Sequence, residues 1–224
     1  MINIAVFTCA KYSVLIPKWL TFFERTFPLP YHLDYIVGWT NTIQVPNTIQ
    51  VPKSYNADAT HFMSCKDNGF AANMLDYMRD KTEPVMMMMD DHILFEADPE
   101  LITQAWDIIH DPYCGCVRLV PWPGPTLSWP GPIEKSIPGF GEIDKTLEYA
   151  ISLQASMWKP QTLHDLIDPK WNPWQIELEG SKRALQSAYG KYFIGCKTCA
   201  VNYKDYYMRG NPRPEHAAWV DRNL

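Results

Sequence analysis

Residues 84–89 read PVMMMM and run directly into Asp90, Asp91 and His92. An unbroken apolar run of this length after a breaker is the pattern of a strand buried on both faces of a parallel sheet. In an open parallel sheet, ligands bind beyond the carboxyl ends of the strands. Two acids and an imidazole therefore stand where that rule puts a site.

The rest of the chain supports the same architecture. Residues 2–8 (INIAVFT) and 33–39 (LDYIVGW) read as strands, and 15–26 (LIPKWLTFFERT) as a helix with Pro17 in its first turn. Together they make a β-α-β opening, as in α/β proteins. Residues 67–80 carry Phe70, Met74 and Met78 on one helical face, with Asp67 as the N-cap. Residues 99–110 form an amphipathic helix opened by Pro99, and CGCVRLV, 114–120, is a further strand. Residues 149–158 have strand character. Pro160 and Pro173 each open a helix, 191–203 reads as a final hairpin, and the end of the chain as a polar tail. These readings give one domain over 1–210 and a tail over 211–224. The direct repeat NTIQVP-NTIQVP, 41–52, is too short for a solenoid and reads as a lengthened loop. Residues 121–140 hold six prolines and three glycines with Trp122 and Trp129, the composition of a functional lid or a disordered insert.

Composition excludes several classes of protein. At 224 residues and 46% hydrophobic, the chain can build a full core without disulfides or a structural metal. No apolar run approaches the ~20 residues of a membrane span. The N-terminus lacks a basic region and an apolar stretch long enough for a signal peptide, so the expected location is cytoplasmic. The six cysteines are then expected as reduced thiols. The CxC of Cys114 and Cys116 puts both side chains on one face of a strand, and Cys196 and Cys199 form a CxxC. Buried thiols are favoured over a zinc site. Residues 1–180 carry 12 Lys/Arg and 22 Asp/Glu, a balance of −10, and residues 181–224 carry 8 and 3, a balance of +5. The basic end suits an anionic partner such as a diphosphate or a nucleic-acid backbone, or is ordinary solvated charge. The chain as a whole is too acidic for a dedicated DNA-binding protein.

Carboxylates and a neutral imidazole are suitable ligands for Mn²⁺, and carboxylates with water for Mg²⁺. Such an ion can bridge a diphosphate and neutralise the charge of a leaving nucleotide. The same three residues also fit a solvated turn in which an aspartate caps a helix. Glu177, behind the Pro173-Trp174 turn, fits a general base for a substrate hydroxyl, and equally an acid stabilising the start of a helix.

The strand ending in Asp90-Asp91-His92 is followed by Ser152-Leu153-Gln154, Met157-Trp158, Pro173-Trp174-Gln175-Ile176-Glu177 and Gly180-Ser181. In that order and spacing the chain resembles the small GT-A-type glycosyltransferases of phages, giant viruses and bacteria, from about residue 2 to residue 210. Asp90-x-His92 also resembles the DxH variant of the GT-A metal motif seen in polypeptide GalNAc-transferases. The resemblance implies a GT-A-like, mostly parallel sheet with flanking helices and a Mn²⁺ or Mg²⁺ ion at Asp90, Asp91 and His92. It implies nucleotide contacts from Thr8, Cys9, Lys11 and Tyr12 at the end of the first strand, from Asn68 and Phe70 at the following helix, and from Asp90. It places Glu177 toward the acceptor, and the C-terminal Arg209, Arg213 and His216 over the diphosphate. The implied reaction moves a sugar from a nucleotide donor, UDP above all, to a glycan or to a hydroxylated base of modified phage DNA. It would take place in the host cytoplasm if the protein is viral.

Two other readings use the same sheet. A nucleotidyltransferase would usually carry a glycine-rich loop and a lysine after the first strand, and TCAKYS supplies Lys11 without glycine. A non-catalytic nucleotide- or glycan-binding module would not need Asp90, Asp91, His92 and Glu177 together.

Overall fold

The computed structural model describes residues 1–39, 57–66, 68–127, 137–186, 192–208 and 211–224. Strand β1 (Ile2–Cys9) leads through a 3-10 turn (Ala10–Leu15) into helix α1 (Ile16–Thr26). Pro17 sits in the first turn of α1, where its missing N–H costs nothing. Strand β2 (Tyr31–Trp39) returns parallel to β1, and β3 (Ala57–Lys66) lies parallel beyond it. Helix α2 (Phe70–Met78) follows, then β4 (Val85–Met89) and β5 (His92–Ala97). Next come α3 (Pro99–Ile109), β6 (Cys114–Arg118), β7 (Phe140–Glu142), β8 (Ser156–Trp158) and α4 (Pro160–Leu166). Helix α5 (Pro173–Ala184), β9 (Tyr192–Cys196), β10 (Val201–Asp205), β11 (Tyr207–Met208), β12 (Asn211–Pro212) and α6 (Pro214–Asn223) complete the described chain.

The main sheet has the order β3-β2-β1-β4-β8-β6-β9-β7, with β8 and β7 antiparallel to their neighbours and the other adjacent pairs parallel. Both faces are covered. One apolar layer joins Trp19, Leu20 and Phe23 of α1 and Ile102 and Ile109 of α3 to Ile4, Val6, Met86 and Met88. The other joins Met74 and Met78 of α2, Leu163 of α4 and Ile176 of α5 to Ala5, Phe7, Val85 and Met87. The methionine run of β4 thus alternates between two cores and is almost wholly buried, as the apolar run requires.

Several local readings are corrected. Helix α2 begins at Phe70 behind Gly69, whose φ of +102° suits glycine, and Asp67 lies outside the described residues. Residues 191–203 are not a hairpin. β9 pairs in parallel with β6, while β10 leaves the main sheet and pairs antiparallel with β5. Of 149–158, only Ser156–Trp158 is strand. A register shift between Cys114 and Cys116 sends the two thiols into opposite cores rather than to one face. Burial pushes the Cys116 thiol up to about 12, so it packs as a small hydrophobe. Residues 214–223 are helical rather than an irregular tail. Val220 is fully buried, and Trp219 lies against Phe22 and Phe95. Among the described residues, no helix is long and apolar enough to cross a membrane. The NTIQVP repeat lies outside them.

Candidate active site

The pairing of Phe7 with Met89 puts the next residues, Thr8 and Asp90, side by side where β1 and β4 end. The Thr8 hydroxyl donates to Asp90 Oδ2 across that gap. Beside them opens a cavity of about 250 Å³. Its walls are Phe7, Ile36, Phe70 and Met89, and Thr8, Tyr12, Asn73, Asp90 and Asp91 supply the polar groups, with Pro173 at the rim. This is the position expected for a ligand site in an open α/β sheet.

Asp90 is buried, and its carboxyl is pushed well up by that burial and by the Asp91 charge beside it. Burial also raises Asp91, with Asp205 adding to the rise and His92 opposing it. Among the described residues no lysine or arginine pairs with either acid. An uncompensated buried carboxylate costs several kcal/mol, so the pair is short of positive charge.

His92 lies just behind the cavity. Its Nε2 is 3.8 Å from Asp91 Oδ1 and 3.7 Å from Asp205 Oδ1, and its ring stacks on Tyr203 at 4.1 Å. The antiparallel register that sets Asp205 opposite His92 carries the C-terminal segment across the acidic motif. Tyr206 N–H donates to the Asp91 carbonyl, Arg213 donates to Asp205 Oδ2 at 2.9 Å, and His216 Nδ1 lies 2.9 Å from the Asp205 carbonyl. The Tyr207 ring meets Tyr12 at a tilt of 39°, with centroids 4.8 Å apart. Asp90, Asp91 and His92 do not converge as a closed ligand cage. Among the described residues the one group of three whose ligand atoms come within 4.8 Å of one another is His32, Asp34 and His61, elsewhere on the sheet.

Glu177 is not on the cavity wall. Its Oε1 accepts from the Ser152 hydroxyl at 2.9 Å and from Leu153 N–H at 2.8 Å. Ser181 locks the same junction, donating to the Glu177 carbonyl and accepting from Ile151 N–H. The Ser152-Leu153 and Gly180-Ser181 pairs quoted from the sequence therefore meet around this carboxylate. Burial raises the Tyr203 phenol, with Asp205 and Asp91 adding to the rise.

The other candidates divide. Phe70 and Tyr12 line the cavity, whereas Asn68 is exposed and its N–H donates to the Asn73 side chain, which lines the cavity in its place. The Cys9 and Lys11 side chains, Arg209 and Trp129 fall outside the described residues, and Trp122 is exposed. Sequence reasoning missed Asn73, Tyr203, Asp205 and Tyr207. Asp205 and His92 are far apart in the chain, and only the β5–β10 register joins them.

No family model and no curated protein matches the sequence. Solved structures do. Residues 1–349 of TarS from S. aureus align with a TM-score of 0.56 at 11% identity, over 99% of this chain and 63% of theirs. The same TarS fragment in complex with UDP-GlcNAc gives 0.54 at 9% identity, over 90% and 58%. A UDP-glucose pyrophosphorylase gives 0.51 at 12% identity over the whole of both chains. The chain thus spans about three fifths of the TarS fragment. At these identities the likeness is one of fold, and the fold is the GT-A-like α/β arrangement that the sequence led us to expect.

Proposed function

We propose that the chain is a metal-dependent glycosyltransferase that moves a sugar from a nucleotide donor, UDP-linked, to a hydroxyl acceptor. The observation that carries this reading is the cavity where β1 and β4 end, apolar along one side and closed at the other by the buried Asp90 and the half-buried Asp91, with which no lysine or arginine pairs among the described residues. Phe7, Ile36 and Phe70 suit the faces of a base, and Asn73 and Thr8 offer polar groups to its edge or to ribose. The donor set fits a divalent ion. Asp90 and Asp91 would supply carboxylate oxygens and His92 an imidazole, and their open arrangement suits Mn²⁺ or Mg²⁺ held by few protein ligands and by substrate phosphates. Bound there, the ion would neutralise charge on the departing diphosphate. TarS crystallised with UDP-GlcNAc and a pyrophosphorylase complexed with UDP-glucose have the same fold, which supports a UDP-sugar as donor.

Glu177 is the base in this reading. Two hydrogen bonds to one oxygen fix its carboxylate. An acceptor hydroxyl that loses its proton to Glu177 attacks the anomeric carbon opposite the leaving diphosphate and inverts it. Glycans and hydroxylated bases both present such a hydroxyl. Calorimetry of UDP and a panel of UDP-sugars, with and without Mn²⁺, tests the donor half, and binding that ignores Mn²⁺ would overturn it.

A nucleotidyltransferase is the second reading, favoured by end-to-end alignment with UDP-glucose pyrophosphorylase. It forms a nucleotide-sugar from a triphosphate and a sugar phosphate and releases pyrophosphate. Against it stands the loop after β1, which lacks the glycines that would cradle a triphosphate. Assaying UTP plus sugar phosphates for pyrophosphate release separates the two.

A further inference from the structure

His32 and Asp34 lie two residues apart on β2 and so face the same side of the sheet. His61 on the neighbouring β3 is in register with Asp34. His32 Nε2 is 3.2 Å and His61 Nδ1 is 3.4 Å from the same oxygen, Asp34 Oδ1, and the imidazole rings meet edge to face at 4.8 Å. The place is separate from the cavity. Val37 of β2 pairs with Thr8, and Asp34 lies three residues, roughly 10 Å, back along the strand.

We propose that His32, Asp34 and His61 bind a borderline transition ion such as Zn²⁺, which clips the β3 edge of the sheet to β2. A tetrahedral ion with bonds of about 2.0–2.1 Å to nitrogen and oxygen holds its ligands roughly 3.3–3.4 Å apart, and the contacts to Asp34, at 3.2 and 3.4 Å, lie close to that spacing. The carboxylate is also prepared as a ligand. Its other oxygen, Oδ2, accepts from the Tyr77 hydroxyl at 2.8 Å and from Lys81 Nζ at 3.2 Å. Outer hydrogen bonds of this kind orient a metal-binding carboxylate and leave Oδ1 facing the imidazoles. Burial alone would raise the Asp34 carboxyl, but the hydrogen bonds from Tyr77 and Lys81 and the Lys81 charge help to hold it below its usual range. Two imidazoles and one carboxylate select Zn²⁺ or Co²⁺ over Mg²⁺ or Ca²⁺, which prefer oxygen throughout. The His61 side chain is 59% exposed, so the ion enters from solvent and a water completes the tetrahedron.

The competing account is a hydrogen-bonded His-Asp-His cluster with no affinity for metal. The test is titration of chelator-stripped protein with Co²⁺ in excess Mg²⁺, read by visible absorption. The expected result is a stoichiometric four-coordinate cobalt spectrum that Zn²⁺ bleaches and that both His61→Ala and His32→Ala abolish. In parallel, Zn²⁺ at about a hundred-fold over its dissociation constant raises the melting midpoint of the parent protein by roughly 5 °C or more, and does not raise that of His61→Ala. Because His61 is more than half exposed, its replacement leaves the fold intact. Absence of the cobalt spectrum, or its persistence in both histidine variants, overturns the proposal. No donor or acceptor is present in either measurement, so the outcome is independent of the glycosyltransferase reading.

Discussion

Glu177 is tied into the scaffold by hydrogen bonds, and its proposed role as base can be separated from that structural one. As the fifth residue of α5 it lies past the first turn, and a backbone N–H and a hydroxyl from the 152–153 segment hold it. A helix-dipole role alone does not account for that anchoring. Glu177→Gln keeps the shape but cannot take a proton. The expected outcome in a transfer assay is a loss of ~10²–10⁴-fold in kcat, with UDP affinity by calorimetry nearly unchanged. A variant with full turnover would remove Glu177 as base. Arg118 works differently. It is fully buried at the end of β6, and its guanidinium donates to the carbonyls of Pro123, Tyr149 and Ala150. It therefore ties the start of the 121–127 loop to the segment leading to Ser152. Arg118→Met would leave those carbonyls, the buried one of Ala150 among them, without their donor, and urea denaturation should show a loss of about 3 kcal/mol.

At the scale of elements, α5 presents Glu177 only if its first turn is fixed. Asn172 and Gln175 form a capping box around Pro173. Asn172→Ala should cost ~1 kcal/mol in denaturant unfolding and lower kcat far less than Glu177→Gln does. Helices of this kind were legible in the sequence, because prolines mark their starts and apolar spacing marks their faces. α1, α3, α4 and α5 all begin at or within one residue of the expected positions. So was β4, whose methionines carry the signature of burial on both sides. Strands that owe their place to pairing were not legible. β3 (ADATHFMSCK) is half polar and exists as an edge beside β2. β8 is three residues wedged antiparallel between β4 and β6. β9 and β10 look like consecutive arms of a hairpin until their partners are known. The same limit applies to the site. Asp90, Asp91 and Thr8 are readable from where strands end, while Asp205, Tyr203 and Asn73 enter through contacts that no local pattern encodes.

On the scale of the whole molecule, the end of β1 and the turn after β4 build the acidic end of the cavity, and the C-terminal segment returns along β5 beside that turn. Arg213 of that last segment pairs with Asp205, and among the described residues no lysine or arginine pairs with Asp90 or Asp91. Asp91 and Asp90 repel each other in a partly buried setting, which costs stability. Asp91→Asn separates that cost from the proposed metal binding. It removes one charge from the repelling pair with little change of shape, so the melting midpoint without metal should rise, by roughly 2–4 °C for each kcal/mol gained in a chain of this size. The same change removes a charged ligand, so strengthening of UDP binding by Mn²⁺ should vanish and turnover should fall about 100-fold or more. In the parent protein, EDTA should abolish turnover and Mn²⁺ should restore it. Had Asp91 served only to shape a solvated turn, the substitution would leave both melting and nucleotide binding where they were. A variant that melts lower and still binds UDP in a Mn²⁺-dependent way would move the metal away from Asp91, to a set without it.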